Sequence, residues 1–350
     1  MLSISFFDIF SAARKNYFKF KEEIMRKNYL PIVTLSIFLL LVTACGEKTT
    51  TPEKGAAVSV DSALKILPMD SKAVFYADLN KVMALESVDQ ALKSDKNYQE
   101  MQDFINKTGI NPQEDINYIV GALTSMEKDN QAGVIVANLN YNKDAMINLI
   151  KEESEKEIIE SEYSGYTIYS TEEAEEMENF CFLDESNILI GDNSGIQAVI
   201  DIVKNNGENV LKNEEMSAML AQTNKDALVW GAFLIPSEAV TEATSTNPML
   251  ENLKSVKAAA MFFDYKNNSY ITEIKLMSTD PEANKQVAEL LNGLKAFGAM
   301  GAAENPAIGD LMNKIEISAG DEFVKIYASI PEDLIDKLKS GFGGTENEER

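Results

Sequence analysis

Apolar and polar positions along this chain form short strand-like runs that repeatedly hand over to helical periodicity. "KAVFYADL" (72–79) is mostly apolar and of strand length, and helical spacing then carries to about Lys107. Asn111, Pro112 and Glu114 mark a helix start, because Asn caps well, Pro suits the first helical position and a carboxylate stabilises the first turn. "YIVGALTSM" and "AGVIVANLN" predict an antiparallel pair joined by the polar "EKDNQ". A helix from Lys143 to about Glu153 follows. "KEIIESEYSGYTIYST" predicts a hairpin turning at Ser164-Gly165, and "ENFCFLD" pairs with "NILIGD" across Glu185-Ser186. A helix near 196–203 stops at Asn205-Asn206-Gly207.

The second half restarts with the strand "ALVWGAFLI" (227–235). "SVKAAAMFFDY" and "SYITEIKLMS" flank a turn at Lys266-Asn267-Asn268. In the latter run Ile274 and Leu276 face one way and Glu273 and Lys275 the other, which predicts one wet sheet face. Asp280 caps a helix with Pro281 in its first turn, and Val287, Leu290, Leu291, Leu294 and Phe297 form its apolar stripe. "NKIEISAG" and "EFVKIYASI" make a last hairpin about Gly320-Asp321, before a final helix "PEDLIDKLK".

Runs of hairpins with helices on one face argue for antiparallel sheets, hence an α+β fold. "AGVIVANLNYNKDAMINLI" and "YITEIKLMSTDPEANKQVAELL" share one layout, a strand, a polar break and an amphipathic helix. Two α+β modules are expected in tandem, 59–212 and 213–339, either related repeats or similar architectures of separate origin. A tail at 340–350 is polar and expected to be disordered.

The start of the chain differs from the rest. Residues 30–44 carry no charge, too short a run for the roughly 20 residues of a spanning helix. Arg26 and Lys27 precede it and small residues end it, the order of a secretory signal. Leu41-Val42-Thr43-Ala44-Cys45 resembles the lipobox of bacterial lipoproteins. That resemblance implies a signal peptide at 25–44 cut between Ala44 and Cys45. It also implies diacylglycerol on the Cys45 thiol and an acyl chain such as palmitate on the new amino terminus. Several acyl chains, at ~0.8 kcal/mol per buried CH2, make a durable membrane anchor. Residues 1–24 are expected to be a mis-assigned extension, because Met25-Arg26-Lys27 is the better start of a basic leader. Residues 45–58 are a polar tether able to hold the body roughly 40 Å from the bilayer. Gly46 after the cysteine, in place of Asp, resembles the signal for outer-membrane delivery in double-membraned hosts. Without an outer membrane the resemblance implies the outer face of the cell membrane. The layout, opening on "LPMDSKAVFYADL", also looks like that of bacterial surface lipoproteins with domains of unknown function.

Composition narrows the function. The chain has 32 Lys+Arg against 56 Asp+Glu, a net charge of −24. Residues 1–44 hold six of the bases and three of the acids, so the mature part carries 26 against 53, or −27. Such a surface repels nucleic acid and disfavours anionic headgroups. There is no histidine, which removes Ser-His-Asp and Cys-His catalysis and His-ligated metals. No Cys-x-x-C or phosphate-binding Gly loop is present, and no cofactor is expected. Of the two cysteines, Cys181 lies between Phe180 and Phe182 and reads as a small buried hydrophobe.

The remaining candidates are few. Glu172, Glu173, Glu175, Glu176 and Glu178 crowd one segment, a weak calcium candidate for which a solvated acidic face is the favoured reading and a contact for a basic partner a further one. Tyr163, Tyr166 and Tyr169 are either an aromatic contact patch or ordinary cross-strand pairs. Trp230 reads as core. "LKAFGAMGAAENPAIGDLM" (294–312) is rich in small residues and Met, suiting close packing, a greasy ligand or a partner helix. The expectation is a lipid-anchored, non-enzymatic binding or interaction protein using a sheet face or the groove between modules. A carrier of an apolar ligand in a sheet-lined cavity is the alternative, and a carboxylate-dependent hydrolase the least favoured.

Overall fold

The computed structural model describes residues 60–88, 98–127, 130–153, 158–171, 179–246, 248–303 and 305–342. The leader, Cys45, the tether, Glu172 to Glu178 and the last eight residues of the tail lie outside them. The chain divides into two compact units, the first ending at Ser217 and the second beginning at Ala218. The twelve strands of the described residues form antiparallel neighbours within each unit, which places the protein in the α+β class.

Unit 1 holds β1 (Ala73–Ala77), β2 (Ile116–Glu127), β3 (Asn130–Leu139), β4 (Ile158–Tyr163), β5 (Tyr166–Thr171), β6 (Asn179–Phe182) and β7 (Asn187–Gly191). Its helices are α1 (Val60–Leu64), α2 (Leu79–Met83), α3 (Tyr98–Thr108), α4 (Pro112–Asp115), α5 (Lys143–Glu153) and α6 (Asn193–Asn205). A further helix, α7 (Glu214–Leu220), runs across the boundary between the units. The strand order in unit 1 is β1-β2-β3-β7-β6-β5-β4. The turn between β4 and β5 puts both Ser164 (φ 53°) and Gly165 (φ 86°) in the left-handed region. Two such residues match the twist of a two-residue hairpin and fix its register, Tyr163 opposite Tyr166.

All four residues of β6 are buried, so the sheet is covered on both faces there. Phe180 and Phe182 join Tyr169, Ile188, Ile110, and Met146 and Ile150 of α5 in one cluster. Cys181, alternating to the other side, lies with Leu189 on the face where α6 buries Ile196, Val199 and Ile200. Unit 1 thus has helix cover on two faces where the hairpin pattern suggested one, because β6 and β7 are apolar at successive positions.

Two polar devices hold this sheet. At the β7–α6 junction Asp192 Oδ1 accepts from Gly133 N of β3 at 2.6 Å, while Oδ2 caps the helix through Ser194 N (2.8 Å) and Gly195 N (3.1 Å). The backbone packs so tightly that a Cβ on Gly191 would sit 2.3 Å from Gly133 O. Across the other end of the sheet, Asn117 Nδ2 donates to Asn138 Oδ1 (2.8 Å) and Asn138 Nδ2 to Asn187 Oδ1 (2.9 Å). Asn187 Nδ2 in turn reaches both Asp184 carboxylate oxygens, at 3.0 and 2.8 Å.

Near that amide chain lie the buried phenols of Tyr76 and Tyr118 and the half-buried one of Tyr141. Tyr118 stacks on Tyr76 at 5.6 Å, and Tyr141 donates to Asp184 O. Burial, followed by the Asp184 charge, pushes Tyr118 and Tyr141 up to about 12. Both folded values lie above the ordinary phenol value of 10, so the fold favours the protonated form. That stabilisation is fully present below pH 10 and is lost as pH rises from there through about 12. The tyrosinate absorbance removed by Tyr118→Phe and Tyr141→Phe is expected to appear in this window together with loss of far-UV circular dichroism. If the absorbance that these two substitutions remove already appears near pH 10 with the fold intact, the reading is contradicted.

Unit 2 holds β8 (Val229–Leu234), β9 (Ala258–Lys266), β10 (Ser269–Met277), β11 (Ile315–Ala319) and β12 (Phe323–Pro331), ordered β8-β9-β10-β12-β11. Its helices are α8 (Ser237–Thr246), α9 (Pro281–Gly298), α10 (Pro306–Asn313) and α11 (Glu332–Phe342). Asn267 (φ 52°) and Asn268 (φ 56°) repeat the left-handed hairpin turn between β9 and β10. The expected wet face is partly covered. Glu273 and Lys275 side chains are only 18% and 17% exposed. Lys275 donates to Gln222 O at 2.9 Å and lies 5.3 Å over the Phe323 ring, its stem packed and its charge satisfied. Trp230 is 1% exposed and is core.

Candidate interaction surface

The C-terminal half of α9 exposes what its first half buries. Asp280 starts the helix by accepting from Glu282 N (3.0 Å) and Ala283 N (3.1 Å), with Pro281 in the first turn. Asn284, fully buried, donates through Nδ2 to Gly320 O (3.0 Å), Asp321 O (3.2 Å) and Ser278 O (3.3 Å). It pins the helix to the β11–β12 turn. Val287 and Ala288 then pack with Val324, Leu276, Ile317 and Leu253.

Beyond Leu291 the stripe leaves the sheet. Leu294 is 47% exposed, Phe297 73% and Met300 70%. A Cβ on Gly293 would meet nothing within 4 Å, so this face is open. Lys295 Nζ donates to Ile315 O of the edge strand β11 at 2.5 Å and ties the helix end down. The small residues of 294–312 serve a different purpose. A Cβ on Gly309 would lie 2.9 Å from Ala302 Cβ, and one on Gly298 3.2 Å from Met312 Sδ, so they let α10 fold back closely. Asn305 starts α10 by accepting from Ala307 N at 3.0 Å. Close packing and an exposed apolar edge therefore coexist in one segment.

The other candidates resolve as follows. Cys181 is buried, and burial pushes its thiol up to about 11 against a weaker opposing pull from Lys143, which leaves it unreactive. Tyr169 stacks on Phe180 at 4.8 Å within the core, and Tyr163 donates to Asp201 of α6 at 2.8 Å. The tyrosines pair and pack; they form no open patch. Ala44, Cys45, Glu172, Glu173, Glu175 and Glu176 lie outside the described residues. Among the described residues no group of three or more acidic or cysteine side chains is placed to hold a metal, and no helix is long and apolar enough to cross a membrane. A groove of about 390 Å³ in unit 1 is lined by Pro68, Met69, Asp70, Ala198, Ile202, Glu208 and Asn213. It is formed by loops and a helix and is open at the surface, unlike a sheet-lined cavity.

Residues 33–295 match a family described as "Protein of unknown function (DUF3352)", three quarters of the chain. The chain belongs to the DUF3352 family. The DUF3352 match begins inside the apolar run before Cys45 and ends within α9, so Phe297 and Met300 lie past it. No curated protein matches the chain. Among solved structures it is similar to crystal form III of TP0453, with 12% identity, a TM-score of 0.44, 79% of this chain and 97% of that one covered. Crystal form I of TP0453 gives 12% identity and a TM-score of 0.41, covering 81% and 98%.

Sequence reasoning found the α9 stripe and left close packing, a greasy ligand and a partner helix open for 294–312; the structure exposes the stripe from Leu294 onward. The informative signal lies at its end, where Gly293, Ala296 and Gly298 thin out the flanking bulk that a buried helix would carry.

Proposed function

We propose that this DUF3352 protein is a non-enzymatic, extracytoplasmic interaction protein, tethered through lipid on Cys45, that offers the end of α9 to a partner protein. The observation that carries the reading is the exposure of Leu294 and Phe297 at the end of α9 and of Met300 in the short 3-10 turn, Ala299–Ala303, that follows it. Anchors at such spacing are what an apolar groove on another protein reads. These three side chains present on the order of 300–400 Å² of apolar surface. A stable interface of any kind buries about 800 Å² per partner and obligate homodimers bury more, so a patch of this size suits a transient contact with another protein better than a lasting dimer of this chain. The apolar run ending at Cys45 supports the tether, and its lipid would hold the body at its membrane, outer where the host has one.

The test places a photo-cross-linking residue at position 297 of the full-length chain in its own host. One protein adduct is expected, lost in the Leu294→Ser, Met300→Ser double variant and reformed by the purified partner. An adduct to lipid or to a second copy would overturn the reading. Phe297→Ser is expected to leave stability within about 0.5 kcal/mol, as for an exposed position, while abolishing partner binding. A markedly destabilised variant would make Phe297 a packing residue. Labelled palmitate that enters the protein, and fails to enter Cys45→Ser, tests the tether separately.

A further inference from the structure

The β4 edge of the unit 1 sheet, unpaired among the described residues, is a second candidate contact surface independent of α9. Among the described residues β4 is the last strand on its side, with β5 as neighbour. Tyr163 and Tyr166 flank a two-residue turn and therefore form a hydrogen-bonded pair. By alternation Ser161 pairs in the same way with Ile168, and Ile159 with Ser170. The backbone N–H and C=O groups of Ile158, Glu160 and Glu162 accordingly point outward, away from β5.

Side chains on this edge are sorted by face. Glu160 and Glu162 are exposed on one face, and Ile159, 43% exposed, projects from the other. Lys151 comes no nearer than 3.7 Å to Glu160, with both ends about half exposed. In sequence, residues 152–178 hold eleven glutamates and one lysine, so this hairpin sits in a strongly negative stretch of chain.

An open edge invites another strand. A second copy pairing antiparallel here would set Glu160 and Glu162 against their own counterparts, and like charges directly opposite are destabilising. The charges that reject self-pairing favour a strand with Lys or Arg facing them. We propose that β4 is the docking edge for an extended basic segment of another protein, which adds a strand through the outward backbone groups of Ile158, Glu160 and Glu162. Its basic side chains meet Glu160 and Glu162, and its alternate, apolar side chains lie beside Ile159. Main-chain pairing supplies affinity and the alternation supplies specificity.

The probe is a short fluorescent peptide alternating Lys and Val, titrated into the full-length chain in nonionic detergent. Its control has the valines replaced by proline, keeping the charge but unable to pair as a strand. The Lys–Val peptide is expected to bind at least about tenfold more tightly than the control. The pair Glu160→Lys, Glu162→Lys, and the milder pair Glu160→Gln, Glu162→Gln, are each expected to weaken it. Amide exchange should slow at Ile158, Glu160 and Glu162, and not at Ile159 and Ser161, which already pair with β5. Equal binding of both peptides would reduce the effect to unspecific charge and overturn the proposal. So would failure of the Lys–Val peptide to bind, indifference to the Gln pair, or exchange protection without the alternation.

Discussion

Asp192→Ala is expected to destabilise unit 1 by about 2–4 kcal/mol, seen as a lower urea midpoint by circular dichroism. The loss has two parts. A helix N-cap alone contributes about 0.5–2 kcal/mol. Asp192 also satisfies Gly133 N, at a point where β3, β7 and α6 meet with backbone against backbone. Removing the acceptor strands a donor in a place too tight for compensating movement, since the neighbouring glycines have no room even for a Cβ. Asp192→Asn has one carbonyl oxygen for the work of two carboxylate oxygens and should fall between. An Asn variant as stable as the parent would show that bridging the strand and the helix together contributes nothing.

Asn284→Asp should cost unit 2 more, about 3–5 kcal/mol near neutral pH. Its Nδ2 faces three backbone carbonyls, which a carboxylate would repel. The fold would then raise the pKa of the new acid, so the penalty is full above that folded value and shrinks as pH falls through it. Stability that improves on acidification, measured by thermal unfolding, is therefore the expected signature. Asn284→Ala loses the donor without adding charge and should cost about 2–4 kcal/mol at every pH. A pH-independent Asp variant would mean that the turn opens to let water reach the site.

Much of the fold was legible because the signals are local. Asn111-Pro112, Ser164-Gly165, Asn267-Asn268 and Asp280-Pro281 each dictate backbone geometry within a few residues, and each stands where the sequence placed it. The α+β class followed from the hairpins they create. What stayed hidden depends on distant partners. Asp192, at the end of "NILIGD", acquires its meaning only with Gly133, some sixty residues earlier, against it. Asn117, Asn138 and Asn187 look like unremarkable polar residues until β2, β3 and β7 align them. The α9 stripe was readable as apolar, but how far the sheet extends beneath it was not, so the change from core to surface near Leu294 could not be seen.

The amide chain across β2, β3 and β7 has a direction. A carboxylate can only accept, so Asp184 obliges Asn187 to present its NH2 group, and each following amide must turn the same way. Three side-chain dipoles are thereby aligned across strands whose own dipoles largely cancel. The Asn117 carbonyl becomes the far terminus of a polarity imposed at Asp184. One acceptor side chain thus settles, over three strands, an orientation that three asparagines alone would leave ambiguous.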